Sequence, residues 1–271
     1  MKILAVGDVV GKTGRKAVMS YIPELKKRLG LDFVVVNGEN ASHGFGINRK
    51  MCDAFFNAGV DVITMGNHTW DNKEIFSFID EETRIVRPMN FLENSLGRGY
   101  NIFTLSDGRK VMVAQFLGNL FVGEYRNAFA TASDWIKDFI LGQDVDAIIV
   151  DFHAEATSEK MAFAHFLDGK VSLVFGTHTH IPTSDFMVLA NGTGYITDVG
   201  MTGDYDSVIG MDKVEPLSRF KGDFTSAGHL TPAEKEATLC GVVIETDDKT
   251  GLCLSIKQLK LGGLLAQADI L

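Results

Sequence analysis

The chain has 271 residues, 45% of them apolar and 23% charged, enough to bury a sizeable core as one domain over residues 1–271. Its formal net charge of −9 argues against tight binding of long nucleic acid, an affinity built from many Lys and Arg contacts to phosphate. It does not argue against a small anion held through bound cations, which invert the local electrostatics. Cys52, Cys240 and Cys253 are odd in number and lack paired C-x-x-C spacing, and no apolar run suits a signal sequence or a membrane span; the expectation is a cytoplasmic protein without disulfides, thiolate metal sites or a membrane partner.

Residues 2–7, 32–37 and 60–65 read as short strands rich in Val and Ile, separated by segments with helical spacing of apolar residues, which is the alternation of a parallel sheet. Between the first two, Val18, Ile22, Leu25 and Leu29 fall on one face of a helix over 14–29. Asn48 can cap a second helix that Gly59 ends. Residues 100–105 and 111–116 flank Asp107-Gly108 as a hairpin. The alternation then resumes with a helix at 128–141, a strand at 147–151, a helix at 158–167 and a strand at 171–175. Residues 187–190, 194–197, 237–246 and 252–259 are expected to be antiparallel. No linker or internal repeat is visible. The expected fold class is α/β, with two packed mixed β-sheets flanked by helices.

Five of these strands end in side chains suited to metal binding or proton transfer, and an open α/β sheet collects its ligands at the carboxyl ends of its strands. Asp8 ends the first strand, where it can bind a hard cation or cap the next helix. The nearby Gly7-x-x-x-Gly11-Lys12-Thr13 is one residue short of a phosphate loop. Glu39 and Asn40 follow the second strand as a carboxylate beside a neutral oxygen donor, or as a polar turn. At Gly66-Asn67-His68 the amide oxygen of Asn67 can bind metal while His68 moves a proton. His153 ends a fourth strand, with Asp151 placed to orient its ring, although a satisfied buried histidine reads the same way. His178 and His180 can turn toward one site after a fifth strand. His43 reads as a solvated loop residue, His165 and His229 have no such context, and a nucleophilic triad lacks its Gly-x-Ser-x-Gly elbow.

In this order the segments resemble the signature of the calcineurin-like metallophosphoesterases. The wording Gly7-Asp8-Val9-Val10-Gly11, Asn37-Gly38-Glu39-Asn40, Gly66-Asn67-His68-Thr69-Trp70-Asp71 and Gly176-Thr177-His178-Thr179-His180 is similar to the YmdB-type branch of bacterial cyclic-nucleotide phosphodiesterases. The resemblance spans nearly the whole chain and departs from the wider family where Val10 replaces a metal-binding His and Glu39 a bridging Asp. It implies the calcineurin-like fold, and one metal on Asp8, Glu39, Asn40 and His180 with a second on Glu39, Asn67, His153 and His178. Glu39 would be the bridge and His68 the proton donor. It implies two metal ions per chain, iron first, with manganese or zinc also suited to nitrogen and oxygen ligands. The implied activity is hydrolysis of 2′,3′-cyclic nucleotides to 3′-nucleotides by metal-activated hydroxide. A broader phosphomonoesterase or nuclease, or a regulatory nucleotide-binding module, is the alternative. A homo-oligomer is compatible with the sequence.

Overall fold

A computed structural model describes residues 1–92, 95–223 and 228–270. In chain order its elements are β1 (Lys2–Val6), α1 (Gly11–Leu29), β2 (Phe33–Asn37), α2 (Arg49–Asn57), β3 (Val62–Thr64), a short 3-10 turn (Lys73–Ser77), β4 (Ile85–Val86), β5 (Tyr100–Thr104) and β6 (Lys110–Leu117). They continue with α3 (Ala128–Ile136), β7 (Ala147–His153), α4 (Thr157–Leu167), β8 (Leu173–Thr177), β9 (Met187–Val188), β10 (Gly194–Ile196), β11 (Gly203–Asp204), α5 (Val214–Phe220), β12 (Ala237–Thr246) and β13 (Cys253–Leu261).

Two mixed sheets result. The first runs β11-β12-β1-β2-β3-β4, with β13 also on β12, and the second runs β5-β6-β7-β8-β10-β9. β1, β2 and β3 are parallel, as are β6, β7 and β8. Because successive side chains of a strand point to opposite faces, each sheet feeds two cores. Ile3, Ala5, Val35 and Val62 meet Val113, Ile149, Phe175 and Ile196 between the sheets. Leu4, Val34 and Val36 face outward onto Val18, Ile22 and Leu25 of α1. Ile148, Val150 and Phe152 do the same toward Trp135 of α3 and Phe163 of α4. Each such large side chain taken from water stabilises the fold by about 1.5–3 kcal/mol.

Two expectations are corrected and one alternative is excluded. The helix expected over 128–141 stops at Ile136, because residues 140–145 form a tight turn in which Gly142 has φ 80° and its N–H donates to Val145 O. The segment at 194–197 is not purely antiparallel. β10 is antiparallel to β9 and parallel to β8, since the turn joining β9 to β10 leaves the other edge of β10 running the same way as β8. Asp8 does not cap α1, whose cap position is Val10, without a side-chain bond. The two-residue strands and α5 are too short to leave a periodic trace in the sequence.

Candidate active site

A polar layer ties the two sheets together where their strands end. Asp151, fully buried on β7, accepts from Thr177 Oγ1 at 2.6 Å on one oxygen. Its other oxygen accepts from Thr64 Oγ1 at 2.6 Å, Asn37 Nδ2 at 3.0 Å and Gln115 Nε2 at 3.2 Å. Burial pushes the Asp151 carboxyl up to about 6, against the charge of His153 and these bonds. A buried carboxylate satisfied by four donors is a rigid anchor rather than a liability. It orients His153 indirectly: the Thr177 hydroxyl gives its proton to the bond with Asp151, so its oxygen accepts from His153 Nδ1 at 2.8 Å. The orienting role expected of Asp151 runs through one intervening hydroxyl.

That arrangement places the proton on Nδ1 and turns His153 Nε2 into the site. There Asn67 Oδ1 lies at 2.8 Å, Glu39 Oε1 at 2.9 Å and His178 Nδ1 at 3.0 Å. Three lone pairs face a nitrogen that can carry one proton. Burial lowers the basicity of the His153 ring, but Glu39, with Asp8 and Asp151, outweighs it and pushes the ring up to about 9. Burial likewise opposes the charge on Glu39, yet His153 holds that carboxyl down at about 2. Burial, then the charge of His153, depresses His178 to about 3, which keeps its lone pair available. Gly66 makes the approach feasible, because a Cβ there would run into the Glu39 carboxylate and the His153 ring.

Asp8, Asn40 and His180 form a second donor group. Asp8 Oδ2 accepts from the backbone N–H of His178 at 3.1 Å, while Oδ1, buried without a hydrogen-bond partner, lies 3.8 Å from both His153 Nδ1 and His180 Nε2. Burial raises the Asp8 carboxyl above its usual range, against the two imidazoles. Asn40 donates from Nδ2 to Gly44 O at 2.9 Å, which leaves its Oδ1 buried and unpartnered. His180 has Ile209 O 2.8 Å from Nδ1, an acceptor that puts the proton there and presents Nε2 as the lone pair. His178 and His180 sit at φ 94° and 66°, a left-handed backbone that non-glycine residues hold only under constraint. The constraint comes from buried Lys160, whose Nζ donates to Thr177 O and to Asp198 Oδ2, both at 2.7 Å, while Asp198 Oδ2 also accepts from the Thr179 N–H and hydroxyl.

His68 stands at the rim, about a quarter exposed, with Nδ1 2.8 Å from Asp71 Oδ2. Its backbone N–H donates to Glu39 Oε2 at 2.9 Å. The Asp71 carboxylate orients the ring through Nδ1. Glu39, Asn40, His68, His178 and His180 line a cavity of about 290 Å³ whose apolar wall is Phe45, Ile209, Met211 and Leu230.

The fold therefore brings Asp8, Glu39, Asn40, Asn67, His68, His153, His178 and His180 to one edge. His43, His165 and His229 stay exposed and outside it. Reading the sequence missed Asp71, Thr177 and Lys160 as positioning residues. Asp71 lies three residues after His68 within a segment already singled out; Thr177 was hidden between a strand and its histidines; Lys160 left no signal. The donors fit metal ions on a physical count: oxygen and nitrogen lone pairs converge, two buried oxygens have no partner, and protons are too few to satisfy them.

Comparisons with known proteins give the family and the fold. The family model described as YmdB-like protein matches residues 4–259. A 2′,3′-cyclic-nucleotide 2′-phosphodiesterase of Bacillus subtilis (strain 168) is 44% identical over 259 residues, 96% of this chain and 96% of the relative. Among solved structures, a novel phosphatase of Mycoplasma pneumoniae superposes with a TM-score of 0.89 at 35% identity, covering 99% of this chain and 94% of that one. A hypothetical protein from Thermus thermophilus superposes at 0.88 and 34% identity, covering 97% of this chain and 100% of that one. The chain belongs to the YmdB-like protein family.

Proposed function

We propose that the protein is a dinuclear-metal phosphodiesterase that opens 2′,3′-cyclic nucleotides on the 2′ side and leaves 3′-nucleotides. That the chain is a phosphoric ester hydrolase rests on the likeness over nearly its whole length to the Bacillus phosphodiesterase. The observation that carries the metal reading is the surplus of buried acceptors over protons around His153 Nε2, Asp8 Oδ1 and Asn40 Oδ1. Glu39, Asn67, His153 and His178 would hold one ion, and Asp8, Asn40 and His180 with Glu39 as the bridge the other. Iron is the first choice, with manganese or zinc also suited to this donor set. Such ions, when bound, supply Lewis acidity toward phosphate oxygens and lower the pKa of water.

The chain's own residues do the rest. Water attacks phosphorus as the bond from phosphorus to O2′ breaks; the attacking water gives a proton up to solvent, and the departing O2′ takes one from His68 Nε2, which solvent then replaces. Asp71, at 2.8 Å from the other ring nitrogen, aims the ring. Asp151 and Thr177 hold His153, and Lys160 with Asp198 holds the His178–His180 turn.

The test pairs metal analysis of freshly purified protein with product identification. The parent protein should convert 2′,3′-cyclic AMP to 3′-AMP, lose that activity on chelation and regain it with iron or manganese. His68→Ala should keep its metal and lose about 10²–10⁴-fold in turnover, with a smaller loss on a substrate whose leaving group needs no proton. Release of 2′-AMP, or preferential turnover of nitrophenyl phosphate or short RNA, would replace the substrate assignment. Loss of metal in His68→Ala would remove His68 from proton transfer.

A further inference from the structure

We infer that Phe45 is the platform on which the base of the nucleotide substrate stacks; this rests on the cyclic-nucleotide reading above. Phe45 belongs to none of the three apolar cores, and its half-buried ring lines the cavity that also contains the donor side chains. A large aromatic side chain held at a cavity wall rather than in a core has apolar area to offer a ligand.

The covalent structure of the substrate says which part of it meets that ring. In a 2′,3′-cyclic nucleotide the base hangs from C1′, the direct neighbour of C2′, whose oxygen is the leaving atom. A side chain that protonates O2′ therefore has the base close beside it, whereas protonation of O3′ would put the base one carbon farther away. The ring packed against His68 is Phe45, with centroids 5.0 Å apart at 75°. Ile209, Met211 and Leu230 complete the apolar wall. The cavity thus has a polar end for the phosphate and an apolar wall beside the proton donor for the base.

The loop that carries Phe45 is fixed before substrate arrives. Phe45 N donates to Ser42 O at 2.9 Å, and Ser42 N to Gly46 O at 2.8 Å. Gly46, at φ 74°, lies so close to Asn72 that a Cβ could not fit. Asn40 Nδ2 holds Gly44 O, which joins the loop directly to a proposed metal ligand. Stacking on a preset ring adds affinity without ordering a loop. Every base has a π face, so the platform accepts all four, purines best by area.

Three substrates separate the outcomes: 2′,3′-cyclic AMP, 2′,3′-cyclic CMP and the base-free methyl riboside 2′,3′-cyclic phosphate. Phe45→Ala should raise KM for cyclic AMP about 10-fold, raise it less for cyclic CMP, leave kcat within about 2-fold, and leave the base-free substrate unchanged, as loss of uniform binding requires. Phe45→Trp should restore or lower KM, and Phe45→Leu, which keeps apolar bulk without a π face, should behave like Phe45→Ala. Binding of 3′-AMP by calorimetry should weaken with Phe45→Ala by the same factor while inorganic phosphate binding holds. An equal loss on the base-free substrate, or a fall in kcat with KM unchanged, overturns the platform and makes Phe45 a support for His68. An unchanged KM for cyclic AMP overturns it outright. If the parent protein opens no 2′,3′-cyclic phosphate at all, the substrate reading itself falls and the platform with it.

Discussion

Around His153 Nε2 three acceptors crowd one nitrogen at 2.8–3.0 Å, whereas Asp8 Oδ1, 3.8 Å from the same ring, and Asn40 Oδ1 lie buried with nothing to accept from. The first group solves its electrostatics without metal, by keeping an extra proton on His153 opposite ionised Glu39. The second group leaves its oxygens unpartnered. A cation entering the first would displace a proton, so its affinity would be tied to pH; a cation entering the second would relieve two buried oxygens that no hydrogen bond satisfies. Two donor groups built from similar atoms therefore offer a cation different gains.

Glu39 is where that difference should vanish, since both ions are proposed to share it. Glu39→Gln removes the charge that balances both cations, and metal content should fall from two ions per chain towards zero rather than to one. Retention of two ions with normal turnover would take Glu39 out of the site. Thr177→Val keeps the shape of the side chain while deleting the oxygen between Asp151 and His153. It should weaken the first ion about 10- to 100-fold, in line with lost support for a ligand, and barely affect the second, with Thr177→Ser restoring the first. Equal weakening of the two ions would mean that Thr177 acts on the fold and not on His153.

The pH dependence sharpens the contrast. His153 is raised from 6.5 to about 9, so its contribution to metal-free stability is fully present below about 6.5 and is lost as pH rises through about 9. Glu39 is lowered from 4.5 to about 2, and its contribution is present above about 4.5 and lost as pH falls through about 2. The pair therefore supports the chelated protein best between those limits, and melting temperatures should decline from pH 6.5 to pH 9. Metal needs the ring without its second proton. Affinity at the first site should thus rise by up to about 10-fold per pH unit between 7 and 9, with about one proton released per ion in calorimetry across buffers of different ionisation enthalpy. A flat affinity over that range would show that His153 carries no extra proton.

The smallest effect is expected at Asn40. Asn40→Ala removes a buried orphan oxygen along with one bond to Gly44 O, two changes of opposite sign and each about 1 kcal/mol. The chelated protein should melt within a few degrees of the parent, while the loaded protein should keep about one ion per chain at limiting metal. Two ions bound as tightly as in the parent would show that Asn40 is not a ligand.

Much of this was legible in the sequence because it is local. Short stretches rich in apolar residues that lead up to Asp8, Glu39, Asn67 and His153 mark strands and their carboxyl ends, and a side chain at such an end has a fixed place in an open sheet. The spacing of Val18, Ile22 and Leu25 marks a helix face for the same reason. What the sequence could not supply is distance across the two sheets. Thr64 and Asp151 are separated by 87 positions and meet at 2.6 Å, and Asn37 and Asp151 meet across 114 positions. No periodicity encodes such contacts, because they depend on how the two sheets stack. The same limit applies to charge. Which of seven histidines keeps an extra proton depends on burial and on the carboxylate it faces: His153 is pushed up by Glu39, and His178, one strand over, is pushed down by burial and by His153 itself. The residue types determined what chemistry the strand ends could offer; the packing of the sheets decided which atoms face one another, and so which side chain holds a proton and which keeps a lone pair.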